Sequence, residues 1–170
     1  MEDPWRVKAD SERDPWSFTP LKCVGPLRFG MSPAEVSAAL GGATAGMHQG
    51  IPPQQSSDHF TEIGVTAYYV ATELTCVAVD GRRGPQVILD GTPLTGRVPS
   101  AADDWIADYT QRQSMELRYT HEGNAVVPDL GLVMRVQRAG DAVVTRPLLT
   151  IREWTEVTWD SIPMDEWKTF

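Results

Sequence analysis

Lysine is the scarcest charge in this chain. Three lysines stand beside twelve arginines, and the 15 basic residues are outnumbered by 23 acidic ones, for a net charge of −8. Nucleic acid and anionic membranes both require a basic face, so neither is an expected partner. The excess of arginine over lysine reads as a bias of the coding sequence and not as a recognition signal. Cysteine is equally sparse. Cys23 and Cys76 sit in the apolar contexts "LKCVG" and "LTCVAV", which favours two buried free thiols over a disulfide or a reactive thiol. There is no run of about 18 apolar residues, so no transmembrane helix is expected. The opening "MEDPWRVKADSERDPW" lacks the basic start and apolar middle of a signal peptide, and a cytoplasmic location is the expectation.

Recognisable catalytic patterns are missing as well. His48, His59 and His121 are scattered through polar stretches, with no HxH, HxxxH or CxxC spacing to hold a metal. The glycine-rich "GGATAG" follows a helix signal instead of preceding one, which is the wrong order for a phosphate cradle. Asp103–Asp104 and Asp165–Glu166 are carboxylate pairs, but the first is better explained as charge at a helix start. No catalytic residue, metal or cofactor is assigned, and the chain reads as a non-enzyme.

What is present is a well-punctuated helix in "RFGMSPAEVSAALGG". Ser32 is a preferred N-cap, Pro33 suits the first helical position, and Glu35 completes a capping box. Val36, Ala39 and Leu40 form an apolar stripe, and Gly41 and Gly42 supply the stop. From Phe60 the period changes to two, and "IGVTAYYVA", "ELTCVAVD" and "PQVILD" read as antiparallel strands. The pattern then restarts. Ser100 reads as a second N-cap with Asp103 and Asp104 in the first turn and a stripe of Trp105, Ile106 and Tyr109. "DLGLVMRVQ" and "AVVTRPLLTIREW" follow as strands, and "TEVTWD" extends the series.

Ser32 and Ser100 lie 68 residues apart, and Gly64 and Gly131, each placed before a strand, lie 67 apart. The expected fold is therefore α+β, a tandem repeat of a short helix packed on a small antiparallel sheet. Residues 1–21 read as an N-terminal arm carrying Trp5 and Trp16, either pinned to the body or free to dock elsewhere. Residues 22–97 form the first helix-plus-sheet unit. Residues 98–170 form the second, with a Trp-rich acidic tail.

The stretch holding Gly30, Met31, Ser32, Glu35 and Val36 resembles the helix start of two related families, the small outer-membrane assembly lipoproteins and the beta-lactamase inhibitor proteins. The second of these implies tandem helix-plus-sheet units that grip an enzyme with a concave sheet. This sequence departs from both in lacking a lipidated cysteine and a disulfide pair within each repeat. By class, an acidic cytoplasmic α+β protein is similar to bacterial immunity proteins, which cover the functional surface of a toxin.

These features predict a non-enzymatic protein-binding module of the immunity or inhibitor type, with a basic protein as partner. The candidate contact residues are Tyr68 or Tyr69, whichever leaves the sheet outward, and Trp154, Glu156, Trp159, Asp160, Asp165, Glu166 and Trp167 in the tail. The tail has a second reading, as a closing arm whose aromatics cap the core. Two other functions stay open: a small-molecule site or enzyme with its pocket between helix and sheet, and an accessory subunit of a larger assembly.

Overall fold

The structure is a computed structural model and describes residues 2–51, 54–156 and 166. Three strands open the chain: β1 (Pro15–Thr19), β2 (Cys23–Val24) and β3 (Leu27–Arg28). Helix α1 (Pro33–Ala39) precedes β4 (Met47–Gln49), β5 (Ser56–Phe60), β6 (Val65–Val70) and β7 (Glu73–Val79). Strands β8 (Gln86–Leu89) and β9 (Thr92–Pro93) lead to α2 (Pro99–Arg112). Then come β10 (Arg118–Tyr119), β11 (Ala125–Val127), β12 (Leu132–Ala139), β13 (Ala142–Thr150) and a short α3 (Arg152–Glu156).

The architecture is mixed α+β and mostly sheet. One sheet has five strands in the order β3-β2-β1-β8-β9, and the other has eight, in the order β10-β11-β12-β13-β7-β6-β5-β4. A tandem repeat of a helix on a sheet is not supported. The sheet hydrogen bonds run straight across the supposed boundary, with Leu148 opposite Ala78 and Leu149 opposite Val77. The five-stranded sheet is assembled only from strands that precede α2, and α3 has five residues. Within the segment before residue 22, β1 lies in the middle of the five-stranded sheet, antiparallel to β2 and parallel to β8.

Burial explains this layering. One face of the large sheet, with Tyr69, Val77, Val127, Leu132 and Leu149, packs into a single core. The small sheet adds Trp16, Phe18 and Val87 to it, and the helices add Val36 and Ile106. The opposite face carries Tyr68, Cys76, Ala78, Val126, Val133 and Leu148, against which Trp154 packs. Adjacent Tyr68 and Tyr69 do face opposite sides, as strand geometry requires, yet both sides are covered. A strand buried on both faces reads as a continuous apolar run; β6 is buried at every position except its last.

Local chemistry explains the helix ends. Ser32 Oγ accepts from the Glu35 amide at 3.2 Å, and the Ser32 amide donates to Glu35 Oε1 at 3.4 Å, closing the capping box. At the other end Gly42 N–H reaches Ser37 O at 2.8 Å and Gly41 N–H reaches Ala38 O at 3.1 Å, the paired bonds of a Schellman stop. Helix α2 differs from expectation. Its N-cap is Val98, with Pro99 at the first position and no side-chain cap, so Ser100 lies inside the first turn and Asp103 and Asp104 beyond it. Of the expected stripe Ile106 and Tyr109 are buried, together with Ala102 and Thr110, while Trp105 is half-buried and stacks on Tyr109. The Tyr109 hydroxyl donates to Asp90 Oδ2 at 2.6 Å, tying α2 to the turn before β9.

Other differences are local. The stretch 43–59, whose Gly, Gln, Pro and Ser content reads as loop, holds β4 and part of β5, and the polar loop around His121 is flanked by β10 and β11. Trp154 lies in α3, not in a strand.

Candidate functional site

Strands β12 and β13 place Arg135 directly opposite Arg146 on the face away from the main core. Like charges in that position repel, and both side chains are buried. The conflict is relieved by Glu166, itself only 1% exposed. Arg146 grips it at two points, Nε to Oε1 at 2.7 Å and Nη2 to Oε2 at 3.0 Å. Arg135 Nη1 donates to the Glu166 backbone carbonyl and lies 3.8 Å from Oε1. The Tyr68 hydroxyl donates to Oε2 at 2.5 Å. The network then runs on through Gln137, whose Oε1 accepts from Arg146 Nη1 and from the Gly81 amide, to Asp80 at 3.3 Å.

Burial opposes both charges of the central pair, but each outweighs that cost for the other. Glu166 is held below the usual carboxylate range and Arg146 above its ordinary value. Burial lowers Arg135, which Glu166 only partly offsets. Burial and then the Glu166 charge push the Tyr68 phenol far up, and the same two influences raise the Cys76 thiol. A raised thiol is a poor nucleophile. The network is thus a locked structural cluster in which the carboxylate, the phenol and the thiol are all held in their resting protonation states.

The predicted contact residues separate into three groups. Tyr68, Trp154 and Glu166 do converge on one sheet face, but Tyr68 and Glu166 are buried and Trp154 is half-buried, so the first two offer a partner no surface. Tyr69 is buried in the main core, where burial and then Asp58 raise its phenol. Glu156 is exposed and pairs with Arg152 at 3.2 Å. Trp159, Asp160, Asp165 and Trp167 lie outside the described residues. Glu166 is corrected from a surface acid to a buried counter-ion, because two guanidiniums share it.

Sequence reasoning missed Arg135, Gln137 and Arg146. The usable signal was a polar residue taking the place of an apolar one in the period-two series of a buried strand, Arg135 and Gln137 after Val133 and Arg146 between Val144 and Leu148. The excess of arginine also has a structural use that the compositional reading overlooked. Buried Arg13 donates Nη1 to Gly84 O and Nη2 to Gly81 O, both at 2.7 Å, and Nε to Lys8 O at 3.2 Å. Such a fork of donors is beyond lysine.

Beside Arg146 a cleft of about 230 Å³ opens between the turns 61–64 and 81–84, bordered by His59, Thr61, Thr66, Asp80, Arg82 and Arg83. Its walls are close-set: the Asp80 amide donates to Gly64 O at 2.9 Å. Asp80 Oδ1 is occupied by the amides of Arg82 and Arg83, at 2.8 and 3.0 Å.

A second, more apolar cleft of about 510 Å³ lies under the stretch after α1, bordered by Ala43, Phe60 and Ile63 with Glu62 among them. Next to it runs β4, the end strand of the large sheet. Met47 on this strand is 53% exposed and Ile51 just beyond it 77%. His48, between them, pairs with Asp58 at 2.6 Å.

Among the described residues no group of three His, Cys, Asp or Glu could hold a metal, and no helix is long and apolar enough to cross a membrane. Both cysteines are free. No protein-family model, curated protein or solved structure matches the chain.

Proposed function

We propose that the chain is a non-enzymatic protein-binding module of the immunity or inhibitor type, acting in the cytoplasm, that docks a basic partner on the β4 end of its large sheet. The observation that carries this reading is the open edge itself. Among the described residues no further strand pairs with β4, a short strand of three residues that ends the sheet with Met47 and Ile51 exposed beside an apolar cleft. An edge of that kind is suited to accept an extended segment of another protein, with backbone pairing for affinity and the cleft for side-chain selection. The partner's charge follows from the net −8 of the chain and from Glu62, the one charged residue bordering the cleft among the described residues. Free cysteines suit a reducing compartment.

The test is a capture experiment from the native cytoplasm with wild type and with a Met47→Asp, Ile51→Asp double variant. Both positions are exposed, so the variant keeps its melting temperature. The reading expects a basic protein recovered in a fixed stoichiometry by wild type and lost by the variant. Equal recovery by both would overturn the assignment of the surface. A concentration-dependent dimer of this chain that the variant abolishes would overturn the heterologous partner.

A further inference from the structure

The geometry points to a second, separate binding site: the cleft beside Arg146 takes a small tetrahedral oxyanion of the phosphate class. Three observations converge on it. The first is charge. Arg82, Arg83 and Arg146 border this cleft in a chain whose net charge is −8. Glu166 neutralises Arg146, and the two guanidiniums of Arg82 and Arg83 outnumber the single Asp80 carboxylate, whose Oδ1 is engaged by two backbone amides and by Gln137.

The second is an orphaned donor. Arg82 Nε–H is buried with no hydrogen-bond acceptor among the described residues, although Arg82 Nη1 donates to Pro4 O and the guanidinium lies 5.4 Å from the Trp5 ring centroid. A buried donor of this kind calls for an acceptor. Arg83 is exposed and forms no ion pair among the described residues. Arg82 is held in place by its contacts with Pro4 and Trp5, while Arg83 is free to close on a ligand.

The third is size and donor type. At about 230 Å³ the cleft is smaller than the roughly 300–1,000 Å³ of sites for drug-sized ligands, and its border is polar. Thr61 and Thr66 add hydroxyls, and His59 is steadied by Ser57 Oγ at 3.2 Å and Thr66 Oγ1 at 3.3 Å. A border that offers both guanidinium and hydroxyl donors suits an oxyanion with several acceptor oxygens. The phosphate could be free or the head of a monoester, and the chemistry of the site is the same for both.

Isothermal titration of the full chain at constant ionic strength tests this, with inorganic phosphate, glycerol phosphate and acetate as separate arms. Saturable one-to-one binding of phosphate is expected, weakened roughly 10-fold or more in Arg83→Ala by loss of a charge-assisted contact, with the melting temperature unchanged. Tighter binding of the monoester assigns the site to an esterified phosphate, and tighter binding of inorganic phosphate to the free ion. Arg82→Lys, which keeps the charge but removes the Nε donor, is expected to weaken binding too. Absence of saturation, equal affinity for acetate, or unchanged binding in Arg83→Ala would overturn the proposal. None of these outcomes depends on the β4 edge.

Discussion

Arg146 and Glu166 form a two-point ion pair across 20 residues of sequence, both side chains almost fully removed from water. The pair sits over a sheet position where Arg135 and Arg146 oppose each other, so the single carboxylate is the counter-ion for two cations. Ion pairs this deep are not strong sources of net stability, because desolvation offsets most of the attraction. Removing one partner is a different matter, since it strands the other charge.

Glu166→Ala is therefore expected to cost about 3–5 kcal/mol, the usual range when a buried pair is broken. Glu166→Gln keeps the shape and an acceptor for Tyr68 and should cost less. Urea unfolding of the two variants beside wild type measures both. A loss below about 1 kcal/mol in Glu166→Ala, the scale of an exposed ion pair, would show that the arginines do not depend on this carboxylate.

The same pair sets a pH dependence. Glu166 has a folded-state value below that of the unfolded chain. Its contribution is then fully present above the ordinary glutamate value of about 4.3 and is lost as pH falls through the lower folded value. The stability gap between wild type and Glu166→Gln should be constant near neutral pH and shrink on acidification below that range. A gap that widened on acidification would reverse the sign of the shift.

Glu166 also shows where sequence reading stops. An acidic residue among tryptophans is visible in the sequence, and so is the alternation that puts Tyr68 and Tyr69 on opposite faces. What decides their role is that both faces of β6 are covered, and this depends on the join between β7 and β13, strands 60-odd residues apart whose register no local pattern states. Arg135 and Arg146 become partners only through the long β12–β13 pairing. The apparent repeat of Ser32 and Ser100 failed for a more local reason, because Pro99 takes the first helical position and moves the cap back to Val98. The edge strand β4 lies in a stretch whose Gly, Gln, Pro and Ser content reads as loop.

Close approach of two turns gives a third prediction. Gly64 has φ +78°, and a Cβ there would lie 2.6 Å from both Cα and N of Gly84. Gly91 has the same φ but open space where its Cβ would go. Gly91→Ala should cost only the left-handed backbone penalty of about 1–2 kcal/mol. Gly64→Ala should cost about 1–3 kcal/mol more, the range for forcing atoms into filled space. Denaturant midpoints of the two variants compare them directly, and equal losses would mean that the turns bordering the Arg82–Arg83 cleft part easily.

Two serines that look alike in sequence should respond differently to the same change. Ser32 caps α1 through its hydroxyl, with the Glu35 amide as donor at 3.2 Å. Ser32→Ala leaves that amide without its acceptor and should cost about 1 kcal/mol, the usual loss for an N-cap. Ser100 lies within the first turn of α2, whose N-cap Val98 makes no side-chain bond. Alanine is the better helix former there, so Ser100→Ala should be neutral or slightly stabilising, within about 0.5 kcal/mol. Thermal unfolding of the two single variants reads the difference, and a loss at Ser100 as large as at Ser32 would restore the serine as the cap of α2.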